Sequence, residues 1–272
     1  MLFDFNQKND TVFEMSTPQF LTNFNKEGYN NQPYFMSDKE LYFTAQMPED
    51  TTQTDIYSLN LENNTLTRVT ATLESEYSPT FVPPLGRTQN YEFSVIRVEQ
   101  DGSQVLWKYP MNRKDDGKIV LPIQKGIGYH FWADYRDLAL FVVGEPSKML
   151  LADSRNETTQ YVTSNIGRCF KDLPDGSIAF VEKMSKTTWL LKKLNTRTLR
   201  TSLITATLSQ SEDFVTLRDG TIIMANGTSL YKFNQRKDTT WRKIADLSYY
   251  GMKNITRMAI NGAQTKLAIV IN

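Results

Sequence analysis

Apolar residues along this chain fall in short runs, and the runs return with a period of about 45 residues. Each unit reads as a polar or charged pair, a short apolar strand, a turn of the Asp-Gly type and a second apolar strand. The pattern is carried by Gln32-Pro33-Tyr34-Phe35 with Leu41-Tyr42-Phe43, and by Tyr77-Ser78-Pro79-Thr80-Phe81 with Phe93-Ser94-Val95-Ile96. It returns in Leu173-Pro174-Asp175-Gly176-Ser177-Ile178-Ala179-Phe180 and in Leu217-Arg218-Asp219-Gly220-Thr221-Ile222-Ile223. Strands this short cannot bury their apolar faces alone, so a fixed repeat of them predicts blades stacked around an axis: an all-β, six-bladed β-propeller with four-stranded antiparallel blades. Seven blades, with an irregular unit inside the long second repeat, is the competing count.

The pattern places blade starts near Pro33, Tyr77, Phe131, Cys169, Phe214 and Met258. In blade one, Leu41–Ala45, Asp55–Leu59 and Leu66–Thr70 follow as strands, with a reversal at Glu62-Asn63-Asn64-Thr65, because asparagine tolerates left-handed backbone. In blade two, Tyr91–Val98 and Gln104–Tyr109 flank Asp101-Gly102, the clearest hairpin signal in the chain. Blade three continues through Leu138–Val143 and Met149–Asp153, and blade five closes with Trp241–Asp246. Trp189–Thr201 contains helix formers, but its threonines and the Asn195-Thr196 break read better as a hairpin. The sixth blade has Met258-Ala259-Ile260 and Lys266–Ile271 before the sequence stops, two strands short. Residues 1–24 hold two strands that belong to no other blade, Leu2–Phe5 and Pro18–Thr22, so the N-terminal segment is expected to complete the last blade and leave no open edge at the join. The 272 residues then read as one closed β domain.

Aromatic residues make up 12% of the chain, which suits strands packed sheet on sheet, and a net charge of +1 gives no global attraction for nucleic acid. A single cysteine, Cys169, excludes an intramolecular disulfide and a cysteine-cluster metal site, and reads as an ordinary small core residue. One histidine, His130, excludes a zinc site built on several histidines of one chain. The longest apolar run, Leu138–Val143, is far short of a membrane span. The first residues lack the basic start and long apolar core of a signal peptide, although a processed form need not retain one.

The whole chain resembles the TolB-like, WD40-like (PD40) β-propeller family. Its repeat places a Leu-Thr pair about ten residues before a Pro-x-Phe-Ser-Pro-Asp-Gly-Lys strand and turn. Here Leu21-Thr22 leads to Gln32-Pro33-Tyr34-Phe35-Met36-Ser37-Asp38, and Val69-Thr70 leads to Tyr77-Ser78-Pro79. The resemblance is strongest to uncharacterised exported bacterial members, through Glu74-Ser75-Glu76-Tyr77-Ser78-Pro79, Gly128-Tyr129-His130-Phe131-Trp132, Asn165-Ile166-Gly167-Arg168, Ser211-Glu212-Asp213 and Ile255-Thr256-Arg257. It departs at two turns, Asp38-Lys39-Glu40 and Pro83-Pro84-Leu85-Gly86, where the Asp-Gly pair has decayed. The resemblance implies a protein of the periplasm or cell exterior that binds something; the absence of a leader in this sequence leaves a cytoplasmic location open.

In such a ring, the residues entering each blade's first strand converge on the central channel. The expected ligand-binding set is Gln32, Glu76, Tyr77, His130, Trp132, Arg168, Glu212, Asp213 and Arg257, with Asn31, Tyr129 and Thr256 beside them. The carboxylates accept hydrogen bonds, the arginines present planar forks to carboxylate or phosphate, His130 titrates near neutrality, and Tyr129 or Trp132 would stack on a sugar ring. Three readings stay open: an ion-pair network that fixes blade packing, a ligand pocket, and an acid–base site. Glu76, Glu212 and Asp213 supply oxygen ligands of the kind calcium takes, but no Asp-x-Asp-x-Asp-Gly loop occurs, and no cofactor is expected. No Gly-x-Ser-x-Gly elbow occurs, and Gly126-Ile127-Gly128 lacks the context of a phosphate loop. The basic cluster Lys183, Lys186, Lys192, Lys193, Arg197 and Arg200 reads as a solvated edge of blade four. Together these features favour a monomeric, non-catalytic module that binds a small polar ligand such as a saccharide, or a protein partner, at the channel mouth. A carbohydrate-active lyase or hydrolase using channel carboxylates, His130 and the arginines is the alternative. Oligogalacturonate lyases resemble the chain less and use a histidine-rich metal site that one histidine cannot supply.

Overall fold

A computed structural model describes residues 1–87 and 90–271. Among them the chain forms six four-stranded antiparallel sheets and no α-helix. The first strands are Asn30–Ser37, Ser75–Val82, Ile127–Trp132, Ile166–Asp172, Phe214–Thr216 and Ile255–Ile260. Each lies at one edge of its sheet and touches the first strand of the next blade, and the sixth touches the first, so the ring closes around an axis lined by these strands. The fold is a six-bladed β-propeller. No helix among the described residues is long and apolar enough to cross a membrane.

The turns form as their chemistry dictates. At Asp101-Gly102, Asp175-Gly176 and Asp219-Gly220 the aspartate Oδ1 accepts the N–H two residues on at 2.8, 3.0 and 2.9 Å, while each glycine takes a positive φ. Asn64, at φ 57°, supplies the left-handed residue of the blade-one reversal. Trp189–Leu194 and Thr201–Ala206 pair as a hairpin. The decayed turn at Asp38 is put to another use: its Oδ1 accepts from Asn261 Nδ2 at 2.8 Å and from the Ala263 N–H at 2.9 Å, tying blade one to blade six.

The last blade has the order Phe13–Met15, Leu2–Gln7, Lys266–Ile271, Ile255–Ile260, so N-terminal strands do complete it. The second of them is not Pro18–Thr22 as the sequence suggested. The chain reverses earlier because Asn9 Oδ1 accepts from the Thr11 and Val12 N–H groups at 2.9 and 3.0 Å, which builds the turn, and Pro18 has no N–H to give a ladder. Residues 18–22 retain one isolated bridge, Leu2 to Gln19. Two outer strands had no signal in the pattern. Lys118–Ile119 is only 2 residues long, and Thr158–Ser164 is exposed over its first half and carries no apolar alternation.

Candidate functional site

Five of the six first strands are bulged near the axis, at Asn31/Tyr34, Tyr77/Thr80, Ile127/Tyr129, Ile166/Phe170 and Ile255/Arg257. A bulge twists the strand and re-aims the side chains beside it, here towards the channel. Gln32 and Ser78 take φ values of 55° and 56°, a conformation unfavourable for side-chain-bearing residues, and the contacts around them hold it. Gln32 Oε1 accepts from Thr44 Oγ1 at 2.7 Å and from the Ser78 N–H at 2.9 Å, joining blades one and two. Asp213 Oδ1 accepts from the Met258 N–H at 2.8 Å, joining blades five and six, and Cys169 Sγ donates to the Phe214 carbonyl at 3.3 Å, joining four and five. Burial pushes the Cys169 thiol up to about 12, so it is a structural donor.

The channel narrows to a waist of about 90 Å³ walled by residues of all six blades, among them Gln32, His130, Arg168, Asp213 and Arg257. That is the share of about three waters, too little for a sugar. Towards the end where the first strands begin, the waist opens into a cleft of about 340 Å³ lined by Arg168, Trp189, Glu212, Asp213, Asn254 and Thr256.

Charge is distributed unevenly across this mouth. Glu212 is gripped on both sides, with Oε1 2.8 Å from Arg168 Nε and Oε2 2.6 Å from Lys183 Nζ. Lys183 also stands 4.4 Å over the Trp189 ring. Arg257, itself buried, donates from Nη2 to Tyr129 Oη at 2.8 Å and lies 3.5 Å from Asp213 Oδ2 through Nη1. Burial raises the Asp213 carboxyl above the usual carboxylate range, and the Arg257 charge partly offsets it. Two arginine nitrogens remain without an aligned acceptor: Arg257 Nε, and Arg168 Nε despite its closeness to Glu212.

His130 is buried between blades two and three, its Nε2 2.7 Å from Ser94 Oγ, which also accepts from Trp132 Nε1 at 2.9 Å. Its Nδ1 has no protein partner. Burial drives the imidazole down to about 3, so it is neutral at physiological pH.

Of the expected set, Gln32, His130, Arg168, Asp213 and Arg257 share the waist, and Glu212 joins Arg168 and Asp213 in the cleft. Glu76 and Trp132 go elsewhere. Glu76 is sealed in the core, where Oε1 accepts from Tyr109 Oη at 2.7 Å and burial raises its carboxyl. It therefore stands apart from Glu212 and Asp213, the acids grouped with it as calcium ligands. Tyr77 packs, partly buried, on the apolar cluster between blades two and three, and its phenol is within electrostatic reach of Tyr29, as are Tyr129, Arg168 and Arg257. Trp132 lies inside the same cluster: it shares a strand face with His130, but the rise of two residues, about 7 Å, carries it off the channel wall, so its ring is not free to stack on a sugar. Lys183, expected at a solvated basic edge, instead contacts Glu212 and Trp189, both of which line the cleft. Its register partner across the blade-four hairpin is Trp189, and that pairing was the available signal. Lys192 and Lys193 of the same cluster are spent on Glu182 and Asp175 at 2.7 and 2.6 Å.

Neither a family profile nor a curated protein matches the sequence. Solved structures do match. A protein assigned as a TolB of Agrobacterium tumefaciens superposes with a TM-score of 0.68 at 9% identity, over 90% of this chain and 91% of that one. The TolB of Acinetobacter baumannii gives 0.57 at 14% identity, over 80% of this chain and 56% of that one. An oligogalacturonate lyase in complex with manganese gives 0.55 at 16% identity, over 80% of this chain and 65% of that one. The chain has a TolB-like propeller fold. It spans less than two thirds of the lyase and of the Acinetobacter TolB. At these identities the likeness is one of fold, and the TolB-like ring has to be assigned a role from its own side chains.

Proposed function

We propose that this TolB-like propeller is a recognition module that binds a small polar ligand, such as a saccharide, in the cleft at the mouth where the first strands begin. The observation that carries this reading is the polar lining of that cleft, where Arg168, Glu212, Asp213, Asn254 and Thr256 of blades four, five and six converge beside the Trp189 ring. Arg168 is partly exposed there, so a ligand hydroxyl or carboxylate would replace water on its guanidinium without breaking its ion pair to Glu212. The ring holds these groups from distant segments, so little ordering entropy is lost on binding. A periplasmic or extracellular location accords with this role.

The test is a calorimetric and thermal-melting series with neutral sugars, uronates and small dicarboxylates. One class is expected to raise the melting temperature by mass action, and Arg168→Gln to weaken that ligand about tenfold or more. If no class shifts the transition, the reading fails.

A protein partner at the same end is the second reading, and a specific observation favours it. Leu73 and Ile123 are 88% exposed and Tyr249 is 91% exposed, on three loops that each lead into a first strand and so ring this mouth. Here Leu73→Ser with Tyr249→Ser is expected to abolish co-purification of a partner that Arg168→Gln leaves bound. The lyase or hydrolase reading draws on the lyase among the similar folds. It gains less from the site, since His130 is neutral and hydrogen-bonded, and Glu76 is sealed.

A further inference from the structure

At the opposite end of the axis the waist widens into a second cavity, of about 480 Å³, within the size range of sites for small organic molecules. Its walls include Tyr34, Phe35 and Phe131, from blades one and three. Its cations are Lys171 and Arg218, from blades four and five. Blade one lies across the ring from blade four, so Tyr34 and Phe35 face the cations, while Phe131 stands beside Lys171 in the neighbouring blade.

Lys39, Lys192, Lys193, Lys232 and Lys237 each have a carboxylate within 4 Å, whereas among the described residues neither Lys171 nor Arg218 enters an ion pair. Two cations and one acid, Asp172, line the cavity, and the Asp38 carboxylate is turned onto the Asn261 and Ala263 donors of its rim. The rim is also fixed in advance. Arg218 Nη2 donates to the Gly262 carbonyl, and Asp38 holds Asn261 and Ala263, so the turns of blades five, six and one are tied together.

We propose that this second mouth binds a small organic anion with an apolar body, of which an aromatic carboxylate is the simplest form. Its carboxylate lies between Lys171 and Arg218 and its ring lies on the Tyr34 and Phe35 side. The site is separate from the cleft above, and neither depends on the other.

Titration of the full chain with 2-naphthoate and with neutral 2-naphthamide, followed by calorimetry and thermal melting, tests this. Naphthoate is expected to raise the melting temperature and to bind about tenfold or more tighter than the amide. Lys171→Met and Arg218→Gln are each expected to weaken naphthoate about tenfold and to leave the amide unchanged. Arg168→Gln, at the other mouth, is expected to change neither. Arg218 is exposed on a turn, so Arg218→Gln decides the matter if Lys171→Met does not fold. Absence of a shift with millimolar naphthoate, equal binding of the amide, or full affinity in Arg218→Gln would overturn the proposal.

Discussion

Replacing Phe3 with alanine is expected to destabilise the protein by about 3–5 kcal/mol, the cost of removing a fully buried aromatic side chain and leaving a cavity. The phenyl ring is 0% exposed. It sits in the cluster that joins blades five and six, with Val215, Leu217, Leu267 and Ile269, and meets Tyr250 edge to face at 5.9 Å between centroids. Its strand is also the link that closes the ring. Leu2–Gln7 pairs with Lys266–Ile271 on one side and carries Phe13–Met15 on the other, so loosening it uncovers a sheet edge. With a total stability of about 5–15 kcal/mol, such a loss is a large fraction. Urea denaturation should show a lowered midpoint, and dilution series should show association through the freed edge. Phe13→Ala, on the partly buried outer strand, serves as the control and should cost far less. A loss below about 1 kcal/mol for Phe3→Ala would mean that the N-terminal strand is not what holds the last blade together.

The inner part of the fold was legible because burial and local chemistry point the same way there. First and second strands carry compact apolar runs, and the Asp-Gly turns between or beside them have their own hydrogen bonds. Outer strands lack this double signal. Thr158–Ser164 has one neighbour and faces water, so its residues need only tolerate extended backbone, and the sequence shows polar residues without a pattern. The misplaced N-terminal strand has the same origin: Phe13–Met15 is short, and the Asn9 turn that sets its register acts through a side-chain contact that periodicity does not register.

The site was half legible. Position at the entry to a first strand gives nearness to the axis, which is why Arg168, Asp213 and Arg257 meet. It does not give side-chain direction. A bulge shifts the alternation by one residue, and without knowing where each bulge falls, Glu76 cannot be told from a channel carboxylate. Lys171 was missed for a related reason: it reaches the channel from a strand position beyond the entry, where the sequence resembles an ordinary polar face.

Acid should expose the state of His130 directly. Its imidazole is held near a pKa of about 3 by burial, against 6.5 when free, so the folded state stays unprotonated where the unfolded chain takes up a proton. The sign follows from linkage: stability conferred by a neutral buried histidine is complete above 6.5 and falls as pH drops towards 3. For one such group the loss is about 1.5 kcal/mol between pH 6.5 and 5, and about 3 kcal/mol by pH 4. Glu76 and Asp213 act in the opposite sense, since burial raises their carboxyls and the folded state binds their protons first. The decisive quantity is therefore the difference between wild type and His130→Gln, which keeps a polar partner for Ser94 but cannot titrate. Urea midpoints taken across pH 7 to 4 should fall more steeply for wild type than for the variant, with the gap growing as pH falls. Parallel curves would show that the imidazole is reached by solvent and free to carry a proton. In that case the acid–base reading of the channel gains the ionisable group it lacks, and the recognition reading loses its advantage over it.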